Sequence, residues 1–280
     1  MRIGFRNWFT EFGTVPTHTG TDSGSAYNLA DLAKPWRGAI TRSTKQGTSG
    51  SATFYGAAGI QVTWPRAVPI RLFGILALNA EQESSDLDLS FEFRNGGSGG
   101  TIVSGIDIFN IGTAAGYSWG SDDLPNNIII DPGYTATADY CHVQWGRSTT
   151  HNFDIRGLWA SDALYLNPDQ IDLDLINDSI VEQSLAGGDY SIDRNIRRRV
   201  TYSGLIDSGA MSPHNAGDSA ESFAELFNGA GRSSPVVIHR AFAGALFASK
   251  EVAVHGLLSD GTGVNSMGKM SRVTIKVEEL

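Results

Sequence analysis

A single cysteine, Cys141, stands among 280 residues. That excludes an internal disulfide framework, a cysteine-built zinc site and a redox pair. Charged side chains are scarce too, at 18% where about a quarter is usual, so neither a coiled coil nor a charge-driven disordered chain fits. No apolar run approaches the ~18 residues of a bilayer span, because Arg71 interrupts Ile70 to Ala80 and Ala241 to Ala248 is short. The sequence therefore predicts a soluble chain. Met1 to Phe12 mixes Asn7, Trp8 and Glu11 among its apolar positions and lacks the apolar centre of a signal peptide; the amino terminus is expected to be retained and structural. A phosphate-cradling GxxxxGK[ST] loop is missing, and none of the six histidines stands four residues from another, which removes nucleotide and zincin motifs. Positive charge is also in deficit. The formal net charge of -9 opposes a general nucleic-acid binder, which needs a cationic surface to release counterions.

What the chain does have is glycine, 33 residues of it, with 41% hydrophobic side chains. A chain this long buries roughly 70% of its unfolded surface, so a core forms without crosslinks. Asp86 to Arg94 (DLDLSFEFR) alternates with period two and sets Leu87, Leu89, Phe91 and Phe93 on one strand face. The glycine-rich Asn95 to Gly100 then turns the chain into Thr101 to Ile111, predicting a hairpin. Further strands are expected at Gly59 to Trp64, Pro69 to Leu78, Asn127 to Ile130, Ala138 to Trp145, Asn152 to Leu158, Arg197 to Leu205, Val236 to Arg240, Lys250 to Leu258 and Ser271 to Val277. The pattern predicts an all-β fold, an antiparallel and jelly-roll-like β-sandwich with one or two short helices. Asp218 to Asn228 is the better helix, with a capping box at Asp218 and Glu221 and a stripe of Phe223, Leu226 and Phe227. Asp174 to Leu185 is a second helix candidate, or a loop lying on the sheet. Thr14 to Ser25 reads as an exposed loop. A junction near Asn167 and Pro168 divides the chain into a sandwich domain, 1–167, and a second β-rich domain, 168–280, carrying the helix.

Reactive constellations are sparse. Gly96 to Gly100 matches the nucleophile-elbow pattern, but a strand follows where a helix is required; a hairpin tip is expected. His151 and Asp154 offer two metal donors where three or four must converge. Asp172 and Asp174 share one face of a strand, a pairing that glycosidases use for acid and base work and that the wet side of a sheet also shows. No catalytic residue, metal or cofactor is expected. Tryptophans beside proline or arginine, such as Trp36 with Arg37, and Trp159 suit a core or a protein interface, where Trp and Arg anchor contacts. Tyr117, Trp119 and Trp145 are the candidates for stacking on sugar rings. Asp154 to Asp193 holds nine acids against one base, and Arg194, Arg197, Arg198 and Arg199 follow at once. Asp172 and Asp174 with these arginines read either as a solvated, charge-protected edge or as a self-complementary contact between copies.

Four stretches in order resemble tail structural proteins of tailed bacteriophages: NLADLAKPWRGAITRS from Asn28, VPIRLFGILALN from Val68, FDIRGLWASDALYLNP from Phe153 and SLAGGDYSIDRNIRRRVTYSGL from Ser184. The third departs from the pattern, with Arg156 before Gly157. The resemblance implies a non-enzymatic virion component of the distal tail or tail tip, of adaptor or hub type. It also implies several copies in a ring around the tail axis, contacts with tail tube, hub or fibre proteins, and no nucleic acid or membrane partner. Such a protein is made in the bacterial host cytoplasm and resides in the virion. The alternative is a carbohydrate-binding, receptor-recognising β-sandwich module.

Overall fold

The computed structural model describes residues 1–12, 14, 17–19, 41–43, 58–76, 79–80, 88–103, 127–146, 153–155, 157–176, 180–183, 189–192, 197–207, 220–229, 234–240, 247–248 and 253–279. The chain packs as two compact units, each drawn from separated segments: Arg2–Ala163 with Ile238–Ala253, and Met1 with Leu164–Val237 and Val254–Leu280.

The first segments carry strands β1 (Arg2–Gly4), β2 (Thr17–Thr19), β3 (Thr41–Ser43), β4 (Ala58–Ile70), β5 (Leu72–Leu76), β6 (Asn79–Ala80), β7 (Asp88–Asn95), β8 (Thr101–Ile102), β9 (Ile128–Ile130), β10 (Ala136–Gly146), β11 (Phe153–Ile155) and β12 (Gly157–Ser161), and the short helix α1 (Trp8–Glu11). Then come β13 (Leu164–Tyr165), β14 (Pro168–Ile176), β15 (Ile180–Gln183), β16 (Asp189–Ile192), β17 (Arg197–Asp207), helix α2 (Ala220–Gly229), β18 (Val236–His239), β19 (Phe247–Ala248), β20 (Ala253–Leu258), β21 (Gly263–Met267) and β22 (Met270–Glu279). Among the described residues no helix is long and apolar enough to cross a membrane.

The unit built on Arg2–Ala163 is a β-sandwich. One sheet runs β2-β4-β10-β7-β8 and the other β12-β5-β9-β19, with antiparallel pairing throughout. Alternation drives it. Phe91 and Phe93 on β7 and Ile60, Val62 and Trp64 on β4 are buried, while Glu92 and Gln61 between them face outward. Across the interior, the Phe73 ring meets Phe91 and Phe93 edge to face, at 5.1 and 4.9 Å between centroids. Each such buried ring contributes roughly 2–3 kcal/mol of apolar burial. The β4–β10 register slips between Ala138 and Tyr140, where Trp64, Pro65, Arg66 and Ala67 oppose Asp139 alone. Pro65 has no N–H to give a ladder, so the irregularity falls where pairing is already interrupted. Asp139 instead accepts hydrogen bonds from the Gly96 and Gly97 N–H groups, holding the β7–β8 turn. The elbow-like glycine run is thus a hairpin tip with a short 3-10 turn at Gly97–Gly99.

In the other unit β20, β22, β17 and β14 lie side by side in that order, and β21 also pairs with β22. Helix α2 packs on β21 through a face that buries Phe223 and Leu226, as its apolar spacing predicts. Two expectations fail. The helix or loop expected over 174–185 gives way, in its described residues, to the end of β14 and to β15, and part of the loop expected at 14–25 is strand β2, paired with β4. In the first case Leu173 and Leu175 alternate with Asp172 and Asp174, so the period of two extends into the segment whose later apolar residues imitate a helical stripe.

Candidate functional site

Among the described residues β14 is the outermost strand of its sheet. It pairs with β17, placing Leu173 opposite Val200, Asp174 opposite Arg199 and Leu175 opposite Arg198. Directly opposed residues share a face. Val200 and Tyr202 are buried, so Ile171, Leu173 and Leu175 continue the face on which that unit's core is built. Yet Leu173 is 59% exposed and Leu175 67%. Asp172 and Asp174, on the opposite face, are exposed too. Both faces of this strand segment are therefore uncovered, and one of them is apolar.

The arginines beside it are engaged within the chain. Arg198 donates to Glu279 through Nε at 2.8 Å and through a terminal nitrogen. Arg199 donates through Nε and a terminal nitrogen to Glu278 Oε1 at 3.0 and 2.6 Å. Arg272 pairs with Asp169 at 2.8 Å. Arg197 lies on β17 opposite Ile176. Asp172 accepts from the Gln170 amide at 2.9 Å, and Arg199, although opposite Asp174, turns to Glu278 instead.

Trp159, expected at a contact surface, is fully buried on β12; its indole N–H donates to Ser161 Oγ at 2.9 Å. A strand hemmed in by β5 with every residue buried leaves no surface there, which takes Trp159 out of any interface. Trp36, Arg37, Arg194, Tyr117, Trp119 and His151 lie outside the described residues, and of Trp145 only its place on β10 is described. Among the described residues no three His, Cys, Asp or Glu side chains converge in a way that could hold a metal. Cys141 is buried on β10, and burial pushes its thiol well above the ordinary range, the wrong direction for a nucleophile.

On the outward face of the β4-β10-β7 sheet, Tyr140 donates its hydroxyl to Gln61 Oε1 at 2.9 Å, and Arg94 Nε donates to Glu92 at 2.7 Å. His142 stands opposite Glu92. Burial lowers the His142 pKa, and for Tyr140 burial together with Glu92 raises it. This cluster is polar but self-satisfied, and its one aromatic residue is buried.

Two features had no local sequence signal. Asn7 is buried at the start of α1, where its Oδ1 accepts from the Phe9 and Ala160 N–H groups and its Nδ2 donates to the Leu158 carbonyl. His239 is 1% exposed, and both its ring nitrogens lack a hydrogen-bond partner. Near it, Asp131 meets Arg71 Nε at 2.8 Å and Arg2 Nε at 3.7 Å. The Arg71 contact is an ion pair whose N–H is not aligned with the oxygen.

No family model matches the chain, and no curated protein matches it. Among solved structures it is similar to one titled "CpGH89CBM32-6 produced by Clostridium perfringens", at 11% identity and a TM-score of 0.35, over 56% of this chain and 99% of that one. A likeness so slight carries no functional weight.

Proposed function

We propose that this is a non-enzymatic assembly protein, whose work is contact with other polypeptides. One observation carries the reading: Leu173 and Leu175 extend a core-forming sheet face out to an uncovered edge. Exposed apolar side chains on a strand edge invite another chain, and the aspartates between them restrict which chains can pair there. Taken with the sequence resemblance, the specific proposal is a structural component of the distal tail or tail tip of a tailed-phage virion, in contact with copies of itself and with neighbouring tail proteins.

The test is sedimentation of the purified chain from 1 to 100 µM, alone and mixed with the proteins encoded beside it. Association into a defined complex is the expected result. A chain that stays monomeric at every concentration and joins none of those proteins would overturn the reading. A glycan array run in parallel should be silent, and specific sugar binding there would shift the function to the carbohydrate-binding alternative.

A further inference from the structure

The free edge of β14 has a chemistry that selects its occupant. Among the described residues no strand lies beyond it, so alternate N–H and C=O groups of its regular stretch, Gln170 to Ile176, face outward toward one more strand. On one face of that edge stand Leu173 and Leu175; on the other stand Asp172 and Asp174. Among the described side chains no cation pairs with either aspartate: Arg199 is committed to Glu278 and Arg272 to Asp169. A ligand strand therefore meets an apolar row and an anionic row.

A second copy of β14 fits this edge badly. Opposed residues in a strand pair share a face. An antiparallel copy centred on Asp172, Leu173 or Asp174 sets Asp172 against itself, Asp172 against Asp174, or Asp174 against itself. Shifting by half a step sets carboxylates against leucines. Like charges directly opposed destabilise a pair, so charge works against self-pairing here. An extended segment in which apolar residues alternate with lysine or arginine meets both rows at once.

Resting on the assembly reading, we infer that β14 is a strand-addition site for an extended segment of another polypeptide that alternates apolar and basic side chains. The probe is a fluorescein-labelled nine-residue peptide alternating valine and lysine, compared with one alternating valine and glutamate, by fluorescence anisotropy with the full chain.

Saturable binding of the lysine peptide is expected, at least tenfold tighter than the glutamate peptide, weakening several-fold between 50 and 500 mM salt. Leu173→Lys should weaken it at least tenfold. The double variant Asp172→Lys, Asp174→Lys should reverse the preference in favour of the glutamate peptide, and because both positions are exposed its circular dichroism should match the parent. Equal binding of the two peptides, or an unreversed preference in the double variant, would overturn the inference. If neither peptide binds but the chain self-associates and Leu173→Lys abolishes this, the edge belongs to a second copy: the basic-segment inference fails and the assembly reading stands. If neither peptide binds and the chain is also monomeric with every neighbour, both fail.

Discussion

His239 provides a direct test of the sandwich interior. Burial lowers its pKa from 6.5 to about 4, against the opposing pull of Asp131, whose carboxylate is already held by Arg71 and Arg2. The folded unit thus keeps the imidazole neutral, while the unfolded chain takes up a proton below pH 6.5. The unfolded state binds more protons between those values, so stability is fully present above pH 6.5 and is lost as pH falls toward 4. A gap of about 2.5 units at ~1.4 kcal/mol per unit gives about 3 kcal/mol, and about 2 kcal/mol of it is gone between pH 7 and pH 5. All six tryptophans lie between Trp8 and Trp159, inside the sandwich segments, so tryptophan-detected urea unfolding reports on that unit. His239→Leu, which leaves no buried nitrogen unpartnered, should keep stability near the parent's at pH 7 and remove about 2 kcal/mol of the loss at pH 5. Parallel pH curves for the parent and His239→Leu would refute the reasoning.

Two substitutions probe the packing that holds the sandwich. A Cβ at Gly74 would fall on the Ile128 carbonyl oxygen, so Gly74→Ala should destabilise the unit by about 3 kcal/mol or more and lower its melting temperature by roughly 6–12 °C; a near-parental melt would show that β5 and β9 do not approach so closely. Asn7→Ala removes a helix cap and leaves the Ala160 N–H and Leu158 carbonyl without their partner, which should cost about 3 kcal/mol in the same urea assay, and a loss under about 1 kcal/mol would mean water replaces the side chain.

Much of the fold was legible because strand alternation is a local signal. Phe91 and Phe93 announce β7, the glycines after Asn95 announce its turn, and Phe223 and Leu226 announce α2, each within a window of a few residues. The chain passes from one unit to the other between Ala163 and Leu164, and the return of Ile238–Ala253 to the sandwich unit leaves no local mark. Asn7 is similar. Its partners Leu158 and Ala160 lie about 150 residues away, and no spacing rule reaches that far. His239 reads in sequence as an ordinary strand histidine, because its unpartnered burial is decided by neighbours that the fold brings in from Arg2, Arg71 and Asp131.

The misread helix and the candidate site have one cause. In Asp172–Leu175 the alternation of acid and leucine is what a half-buried strand requires, yet here the apolar half remains uncovered. A helix would have resolved that by gathering Leu175, Ile176 and Ile180 onto one stripe, which is why the sequence suggests one. β17 prevents it, because eight ladder positions from Pro168 to Ile176 hold the backbone extended, and a pairing of that length outweighs the few tenths of a kcal/mol by which helix and strand propensities differ per residue. The leucines are thus held in the open by the strand beside them, and the acids on the reverse face decide which chains can cover them.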